Sequence, residues 1–252
     1  MLVDTHAHID FPWFDTDRRE MLKRASDENI VIIHSGLGVS GIKKAIELTG
    51  DYGNVYATLG LPPTELSDDA VNETLDEIRW NKNNNKIIGI GEVGLDYHWI
   101  KEPALRKKEH GNFEKFIALS DETGLPLVIH SRNAEKDCIR ILKEHGKGAL
   151  MHCFCGTIEQ AFDAVSFGCL ISITTTFAGS EYRKKMVSEL ALENIVLETD
   201  APYLSPVPET RNESINVKLT AEAIAKIKGV DFETVAKVTT GNVERFFGVK
   251  FQ

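Results

Sequence analysis

Short apolar runs alternate with amphipathic segments along the whole chain of 252 residues. Eight of these runs are rich in Val, Ile and Leu and mostly lack an alternation of polar and apolar residues, which is typical of strands covered on both faces. Strands of this kind, separated by helices, predict an α/β fold with a parallel sheet. The eight runs lie at residues 2–9, 30–36, 54–61, 86–95, 125–131, 148–154, 169–177 and 194–202.

The number of strand and helix pairs favours a closed (β/α)8 TIM barrel. Eight units in 252 residues give about 31 residues each, close to the size of a βα repeat. An open, doubly wound sheet is the alternative, but no Gly-rich phosphate-binding fingerprint accompanies the units. Amphipathic segments at 217–229 and 231–248 predict extra C-terminal helices, and the polar, Pro-rich segment 205–214 predicts a long loop. No linker or repeat divides the chain, so we predict a single domain over residues 1–252.

The formal net charge of −9 argues against nucleic-acid binding through a broad basic surface. An acidic substrate would therefore need a local positive site, such as a bound metal ion. The N-terminus lacks the basic and long apolar segments of a signal peptide, and no run is apolar enough to span a membrane. Four cysteines are then most simply reduced thiols in the cytoplasm. We expect no membrane partner, and the sequence does not indicate the oligomeric state.

Two histidines, His6 and His8, lie one residue apart at the end of the first predicted strand. Residues i and i+2 of a strand project to the same side, and the C-terminal end of barrel strands carries the active site. Two imidazoles in this position are either ligands of one metal ion or polar strand-end residues that neighbouring groups satisfy.

Four further predicted strands deliver a histidine or an acid at the same end of the barrel. These residues are Glu92, His130, His152 and Asp200. Six potential ligands are more than one ion needs, which indicates two divalent ions that share a carboxylate. Mixed histidine and carboxylate ligands suit Zn, Mn, Fe or Ni and do not identify the metal.

Several motifs give the chain a family resemblance. Together they resemble the TatD family of metal-dependent deoxyribonucleases, within the wider amidohydrolase-like barrels, from residue 3 to residue 248. The first motif is weak by itself, whereas GEVGLDY and ETDAPYLSP in this order and spacing are specific. The motifs are VDTHAHID (3–10), GEVGLDY (91–97), HSR (130–132), HCFCG (152–156), ETDAPYLSP (198–206), RNE (211–213) and TTGNVERFFG (239–248).

The resemblance implies a divalent-metal-dependent hydrolase, of the kind that trims DNA from its 3′ end. Two ions, Mg, Mn or Zn, would activate a bridging water as hydroxide for attack on phosphorus, with Asp200 orienting that water or taking its proton. Asp4 is a candidate either to hydrogen-bond the groups that orient the ligands or to take part in the site directly. The implied ligands are His6 and His8 at the first ion with Asp200 nearby, His130 and His152 at the second, and Glu92 between them.

The third predicted strand departs from the family pattern. It ends in GLPP, so Pro62 stands where family members commonly have a histidine, in a GxHP pattern, that is thought to help at the substrate phosphate. His34 ends the second predicted strand at the same face of the barrel. It either replaces that histidine or is a strand-end residue that faces solvent or packs against its neighbours.

Two arginines are candidate substrate-binding residues, because guanidinium matches phosphate in a fork. Arg132 follows the fifth predicted strand, and Arg211 is either a phosphate contact or part of a structural ion pair. The motif HCFCG has Cys155 where the family usually has Ser. Alternation places Cys153 opposite His152, so joint coordination would require the strand to have ended. We interpret both cysteines as small packing residues.

Two other function classes stay open. The same binuclear barrel serves many chemistries, so a hydrolase of a carbon ester or amide, such as a D-aminoacyl-tRNA deacylase, is the first alternative. Cleavage at an ester carbon instead of phosphorus would distinguish it. A non-catalytic binding barrel would be indicated by a missing ligand, and none of the six is missing. DNA or another nucleic acid is the expected substrate.

Overall fold

The centre of the molecule is a ring of parallel strands, seen in a computed structural model that describes residues 1–251. Its strands are β1 (Leu2–Ala7), β2 (Ile30–Leu37), β3 (Val55–Gly60), β4 (Ile87–Gly94), β5 (Leu127–His130), β6 (Ala149–Met151), β7 (Leu170–Ile173) and β8 (Ile195–Leu197). Each pairs in parallel with the next along the chain. The ring closes where Ala201, beyond β8, pairs with Ala7 of β1.

Helices surround this ring. They are α1 (Arg18–Asp27), α2 (Gly38–Asp51), α3 (Asp68–Asn81), α4 (Pro103–Thr123), α5 (Glu135–Glu144), α6 (Ile158–Ser166), α7 (Glu181–Glu189), α8 (Val217–Lys228) and α9 (Phe232–Phe247). The predicted (β/α)8 barrel with C-terminal helices is therefore confirmed. Among the helices within residues 1–251, none combines the length and the apolar character that crossing a membrane requires.

Helix ends coincide with residues that satisfy the free backbone groups there. At the start of α6, the Thr157 side chain accepts from the backbone N–H of Gln160, whose own side chain returns to the backbone N–H of Thr157. Helices α4, α8 and α9 each end at a glycine in the left-handed conformation, at Gly124, Gly229 and Gly248. The glycine stops explain why the predicted segments 217–229 and 231–248 agree with α8 and α9 within one residue at each end.

Two apolar clusters fill the space on either side of the strands. The larger one lies between the strands and the surrounding helices. The smaller one lies inside the ring and contains residues such as Val3, Val128 and Val196. Phe247 of α9 covers it. Gly89 of β4 makes room for the side chain of Phe247, because a Cβ there would lie 2.9 Å from its Cε1 atom. Helix α9 thus closes the barrel at the end opposite the ligands.

The strands that carry later ligands stop earlier than the apolar runs predict. Strand β6 ends at Met151, and the backbone of Cys153 then takes a left-handed conformation with φ of 45°. Asp200, beyond β8, also has a positive φ of 56°. Strand alternation does not extend through such residues. The prediction that Cys153 faces away from His152 was therefore wrong, since both side chains line one pocket.

Truncating the residue that closes the barrel should destabilise the fold. We expect Phe247→Ala to lower the free energy of unfolding by about 3 kcal/mol, because it leaves a cavity among buried apolar side chains. The neighbouring Phe246 is only partly buried, so Phe246→Ala serves as the matched control and should cost clearly less. Urea unfolding followed by circular dichroism measures both. Equal losses would contradict the assigned role of α9.

Candidate metal centre

Six side chains converge at the C-terminal ends of the barrel strands. His6 lies in β1 and His8 just beyond it, Glu92 lies in β4, and His130 is the last residue of β5. The other two, His152 and Asp200, lie in the turns that follow β6 and β8. The structure thus brings together all six residues that the sequence predicts as metal ligands.

The ligand atoms surround one carboxylate oxygen. Oε2 of Glu92 lies 3.3 Å from Nε2 of His6, 3.3 Å from Nε2 of His152 and 3.7 Å from Nδ1 of His130. On the other side of His6, the Nε2 atoms of His6 and His8 are 3.2 Å apart. Oδ1 of Asp200 lies 3.5 Å from Nε2 of His8. Glu92 is therefore the carboxylate placed to be shared.

These spacings fit metal coordination better than direct hydrogen bonding. Ligand atoms about 2.0–2.2 Å from one ion in a tetrahedral or octahedral shell lie about 3–3.5 Å from one another. Within residues 1–251, the buried Oε2 atom of Glu92 has no hydrogen-bond partner. Three overlapping groups each have their ligand atoms within 4.8 Å: His6, His8 and Glu92; His6, His152 and Asp200; and Glu92, His130 and His152.

Two further carboxylates hold the rings of the second pair of histidines. Oδ2 of Asp96 lies 2.9 Å from Nε2 of His130, and Oε2 of Glu198 lies 3.0 Å from Nδ1 of His152. Each contact leaves the opposite ring nitrogen facing Glu92. A carboxylate behind a histidine is the usual outer partner of a metal ligand, because it fixes the ring orientation and raises its basicity.

The electrostatics around His130 and His152 favour positive charge, whereas burial and the neighbouring imidazoles hold the pKa of His6 well below its usual range. Burial lowers the pKa of His152, but the buried Glu198 carboxylate more than offsets this and raises it to about 10. Burial likewise lowers the pKa of His130, and Asp96 with Glu92 raises it to about 9. Burial would raise the pKa of Glu92, yet the surrounding imidazoles hold it well below its usual range. A site that attracts protons in this way also attracts cations, which compete for the same nitrogen atoms.

Asp4 supports the turn that presents Asp200. Its carboxylate accepts from the backbone N–H of Thr199 at 2.8 Å and from the Thr199 hydroxyl at 2.6 Å. The backbone N–H of Asp200 in turn donates to the carbonyl of His6 at 2.9 Å. The first strand and the last turn are therefore joined beside the ligands. Of the two roles left open for Asp4, the contacts favour support from behind.

A pocket of about 460 Å³ opens over the ligands. Arg132 lies in its wall, as does Arg183 of α7, which the sequence did not single out. Tyr203 is about half exposed, and its ring centre lies 6.4 Å from that of His8. The wall thus carries two guanidinium groups and an aromatic ring in a chain whose net charge is −9.

Arg211 lies in an ion-pair network. Its guanidinium donates to both carboxylate oxygens of Asp17 at 2.6 and 2.7 Å and to Glu213 at 2.7 Å. It also donates to the carbonyl of Trp13 at 2.7 Å. Arg211 is not part of the pocket wall described for residues 1–251. Of the two interpretations open from the sequence, the contacts favour the structural ion pair.

His34 is fully buried beside β1 and does not contribute to the pocket wall within the described residues. Its Nδ1 atom lies 3.1 Å from the carbonyl oxygen of Ala7, and its Nε2 atom lies 3.8 Å from Oδ1 of Asp10. Burial lowers the pKa of His34 to about 4, so the ring is neutral near pH 7. Of the two interpretations open for His34, the contacts favour a residue that packs against its neighbours.

The two cysteines of HCFCG are not small buried residues. Cys155 is exposed and Cys153 is partly exposed, and both line the pocket. The interpretation as packing residues was therefore wrong. The error arose because the chain turns after Met151, so that Cys153 and Cys155 line the pocket while Phe154 between them packs in the core.

Asp96 and Glu198 were missed as functional residues, although their motifs were recognised. Each is an acid close in sequence to a predicted ligand, four residues after Glu92 and two before Asp200. An acid this close in sequence to a predicted ligand can indicate a residue that supports the site. The histidines that these acids contact are distant in sequence, so the sequence does not show which ligand each acid supports. A further buried acid, Glu109 of α4, accepts the backbone N–H of Asp96 at 2.5 Å.

A closed (β/α)8 barrel with four histidines and two acids at its C-terminal end is the architecture of a metal-dependent hydrolase, and comparisons with known proteins agree. A family model described as TatD related DNase matches residues 3–248. The uncharacterized metal-dependent hydrolase YabD of Bacillus subtilis is 38% identical over 260 residues, which cover 99% of this chain and 100% of that protein. Human deoxyribonuclease TATDN3 is 32% identical, with coverage of 98% and 94%.

The fold is also found in a solved structure. The crystal structure of YJJV, a TatD homolog from Escherichia coli, superposes with a TM-score of 0.89 at 24% identity and covers 99% of this chain and 98% of that one. Given the family match over most of its length, the chain belongs to the TatD-related DNase family and is a metal-dependent hydrolase.

Removing a carboxylate behind a ligand should weaken metal binding. We expect Glu198→Gln to lower the affinity for a divalent ion by about 10- to 100-fold, because a neutral amide no longer supports the ring of His152. Competition with a chromogenic chelator measures the affinity. Glu193→Gln, in the turn before β8, is the control and should bind like the parent protein. An unchanged affinity in the Glu198 variant would refute the supporting role.

Proposed function

We propose that this protein is a divalent-metal-dependent deoxyribonuclease that hydrolyses phosphodiester bonds from the 3′ end of DNA. The observation that carries the proposal is the convergence of six ligand residues around Glu92 at the floor of a pocket with guanidinium groups in its wall. Membership of the TatD-related DNase family and the name of human deoxyribonuclease TATDN3 support the same substrate class.

We assign the six ligands to two divalent ions that share Glu92. His6 and His8 would hold the first ion with Asp200 close by, and Glu92 would be shared. His130 and His152, backed by Asp96 and Glu198, would hold the second. Ions bound there would supply Lewis acidity, which acidifies water and offsets the charge that develops on the phosphoryl oxygens. Mg, Mn and Zn are the candidates.

Asp200 is placed to act as the general base. Its side chain is 15% exposed toward the pocket, and its Oδ1 atom lies beside the Nε2 atom of His8. A carboxylate in this position can orient the attacking water and take its proton while the water approaches phosphorus. The contacts from Asp4 through Thr199 fix the turn that carries Asp200, so the base is held in place before substrate binds.

Arg132 is the proposed contact for the substrate phosphate. It lies in the pocket wall, and a guanidinium group matches phosphate oxygens in a fork. Pro62 replaces the family histidine, and His34 is buried away from the pocket. Arg132 would therefore contribute a larger share of phosphate binding than in a family member that has the histidine. Tyr203, half exposed at the pocket, offers a face on which a base near the cleaved end can stack.

A hydrolase of a carbon ester is the second candidate, and Pro62 is the observation that favours it. The family resemblance implies a phosphate contact from a histidine at that position, and proline cannot supply it. Hydrolysis of D-aminoacyl-tRNA would use the same ligands and base on a carbonyl carbon. We also propose a cytoplasmic location, on the basis of the free cysteines.

Replacing Asp200 by its amide tests the base with little change in the size of the side chain. We expect Asp200→Asn to lower hydrolysis of 3′-labelled single-stranded DNA by about 100-fold or more, the contribution typical of a general base. Metal-stripped protein, with Mg²⁺, Mn²⁺ or Zn²⁺ added back, is assayed beside the variant, and circular dichroism checks the fold. An active variant would remove Asp200 from the chemistry. No cleavage by the parent protein, shown to hold its ions, would favour the carbon ester.

The two arginines should differ in their effect on the substrate. We expect Arg132→Met to raise KM for DNA by about tenfold or more, the loss expected for a charged hydrogen bond to phosphate. Arg211→Met removes a guanidinium group of the same size from a structural network. It should lower thermal stability and leave KM nearly unchanged. The reverse pattern would overturn the assignment of both residues.

A further inference from the structure

Two thiols and a guanidinium group form a part of the pocket wall that the proposed hydrolysis does not use. Cys155 lies in the loop between β6 and α6, two residues before the helix cap Thr157. Its Sγ atom is 3.0 Å from Nη2 of Arg183. The protonated Cys155 thiol can donate to the carbonyl oxygen of Cys153, which lies 3.1 Å from its sulfur. An exposed sulfur therefore has a guanidinium group on one side and the second cysteine on the other.

The charged groups around Cys155 favour its thiolate. A hydrogen bond from the Cys153 thiol and the charge of Arg183 outweigh burial and the carboxylates of Glu135 and Glu198, so that the pKa of Cys155 falls to about 6. A thiolate is the reactive form of cysteine toward oxidants. The chain's other thiols differ: burial raises the pKa of Cys169 to about 12 and that of Cys138 well above its usual range.

We propose that Cys155 is a peroxide-reactive thiol at the mouth of the pocket and that Cys153 converts its oxidised form into a disulfide. The oxidant is hydrogen peroxide. The Cys155 sulfur attacks one peroxide oxygen, the O–O bond breaks, and hydroxide leaves, so that Cys155 becomes a sulfenic acid. The Cys153 sulfur then attacks the Cys155 sulfur. The S–S bond forms, the S–O bond breaks, and the hydroxide takes the Cys153 proton and leaves as water.

The backbone of Cys153 connects this pair to the metal centre. Its N–H donates to Oε1 of Glu198 at 2.8 Å, and the other oxygen of that carboxylate holds His152. A disulfide constrains the positions of both cysteine backbones, which changes the contact that orients Glu198. Oxidation should therefore lower hydrolysis reversibly. Only this effect on activity rests on the proposed function, because the disulfide itself is read directly from the protein.

Mass spectrometry of peroxide-treated, metal-loaded protein tests the site. After catalase quenching, denaturation and alkylation, we expect a disulfide between residues 153 and 155, with Cys138 and Cys169 alkylated. Cys155→Ser, which restores the residue usual in the family, should leave Cys153 as a free thiol. Cys153→Ser should stop at a sulfenic acid that dimedone traps. The proposal would be overturned if Cys138 and Cys169 were oxidised as fast as Cys155. It would also be overturned if Cys153 in the Cys155→Ser protein were oxidised as fast as in the parent protein.

Arg183→Met tests the cause of the reactivity. At pH 6 we expect it to oxidise about fivefold more slowly, since a pKa higher by one unit lowers the thiolate fraction from about one-half to about one-tenth. Lys184→Met, on the next position of α7, is the matched control and should oxidise at the parent rate. An unchanged rate in the Arg183 variant would refute the role of the guanidinium.

The activity assay separates this site from the proposed nuclease. If DNA hydrolysis is present, peroxide should lower it and dithiothreitol should restore it in the parent protein, while Cys155→Ser should resist. Loss that persists after dithiothreitol, or that also occurs in Cys155→Ser, would overturn the connection to the metal centre. If no DNA hydrolysis is present at all, the nuclease proposal fails, and the mass spectrum still decides the thiol site.

Discussion

The charge of one buried carboxylate determines how the rest of the centre is built. Moving an ionised carboxylate out of water costs several kcal/mol unless charges and hydrogen bonds offset it. Glu92 is buried, and within residues 1–251 its Oε2 atom has no hydrogen-bond partner, although three imidazole nitrogens lie close to it. Without metal the surrounding imidazoles offset this cost and hold the pKa of Glu92 well below its usual range. Divalent ions would replace the imidazole protons and take over the same compensation, so metal and protons compete at this carboxylate.

The barrel supplies the precision that such a site needs. Parallel strands deliver their C-terminal ends to one face, but side chains two residues apart on a regular strand cannot all reach one point. The chain departs from regular strand geometry where it must, at Cys153 and Asp200. At β4, Gly94 permits a close approach, because a Cβ there would overlap the carbonyl oxygen of His130. Asp4 then ties the last turn to the first strand.

Much of this architecture could be predicted from local sequence. The apolar runs gave the strands because burial on both faces needs continuous apolar residues, and the six ligands followed because each stands at the end of a run. The positions of Arg211 and His34 could not be predicted in the same way. Their partners, Asp17 and Ala7, are 194 and 27 residues away in sequence, and only the closed ring brings them together. The thiols of HCFCG were misread because a single left-handed residue ended the alternation.

Metal stoichiometry tests the central claim most directly. Metal-stripped protein and its Glu92→Gln variant, which keeps the size of the side chain and removes its charge, would be titrated with Zn²⁺ or Mn²⁺ by calorimetry, with elemental analysis after dialysis and circular dichroism as a check on the fold. The account predicts two ions per chain in the parent protein and the loss of at least one in the folded variant. Full retention of both ions by the variant would contradict the view that Glu92 joins the two sites.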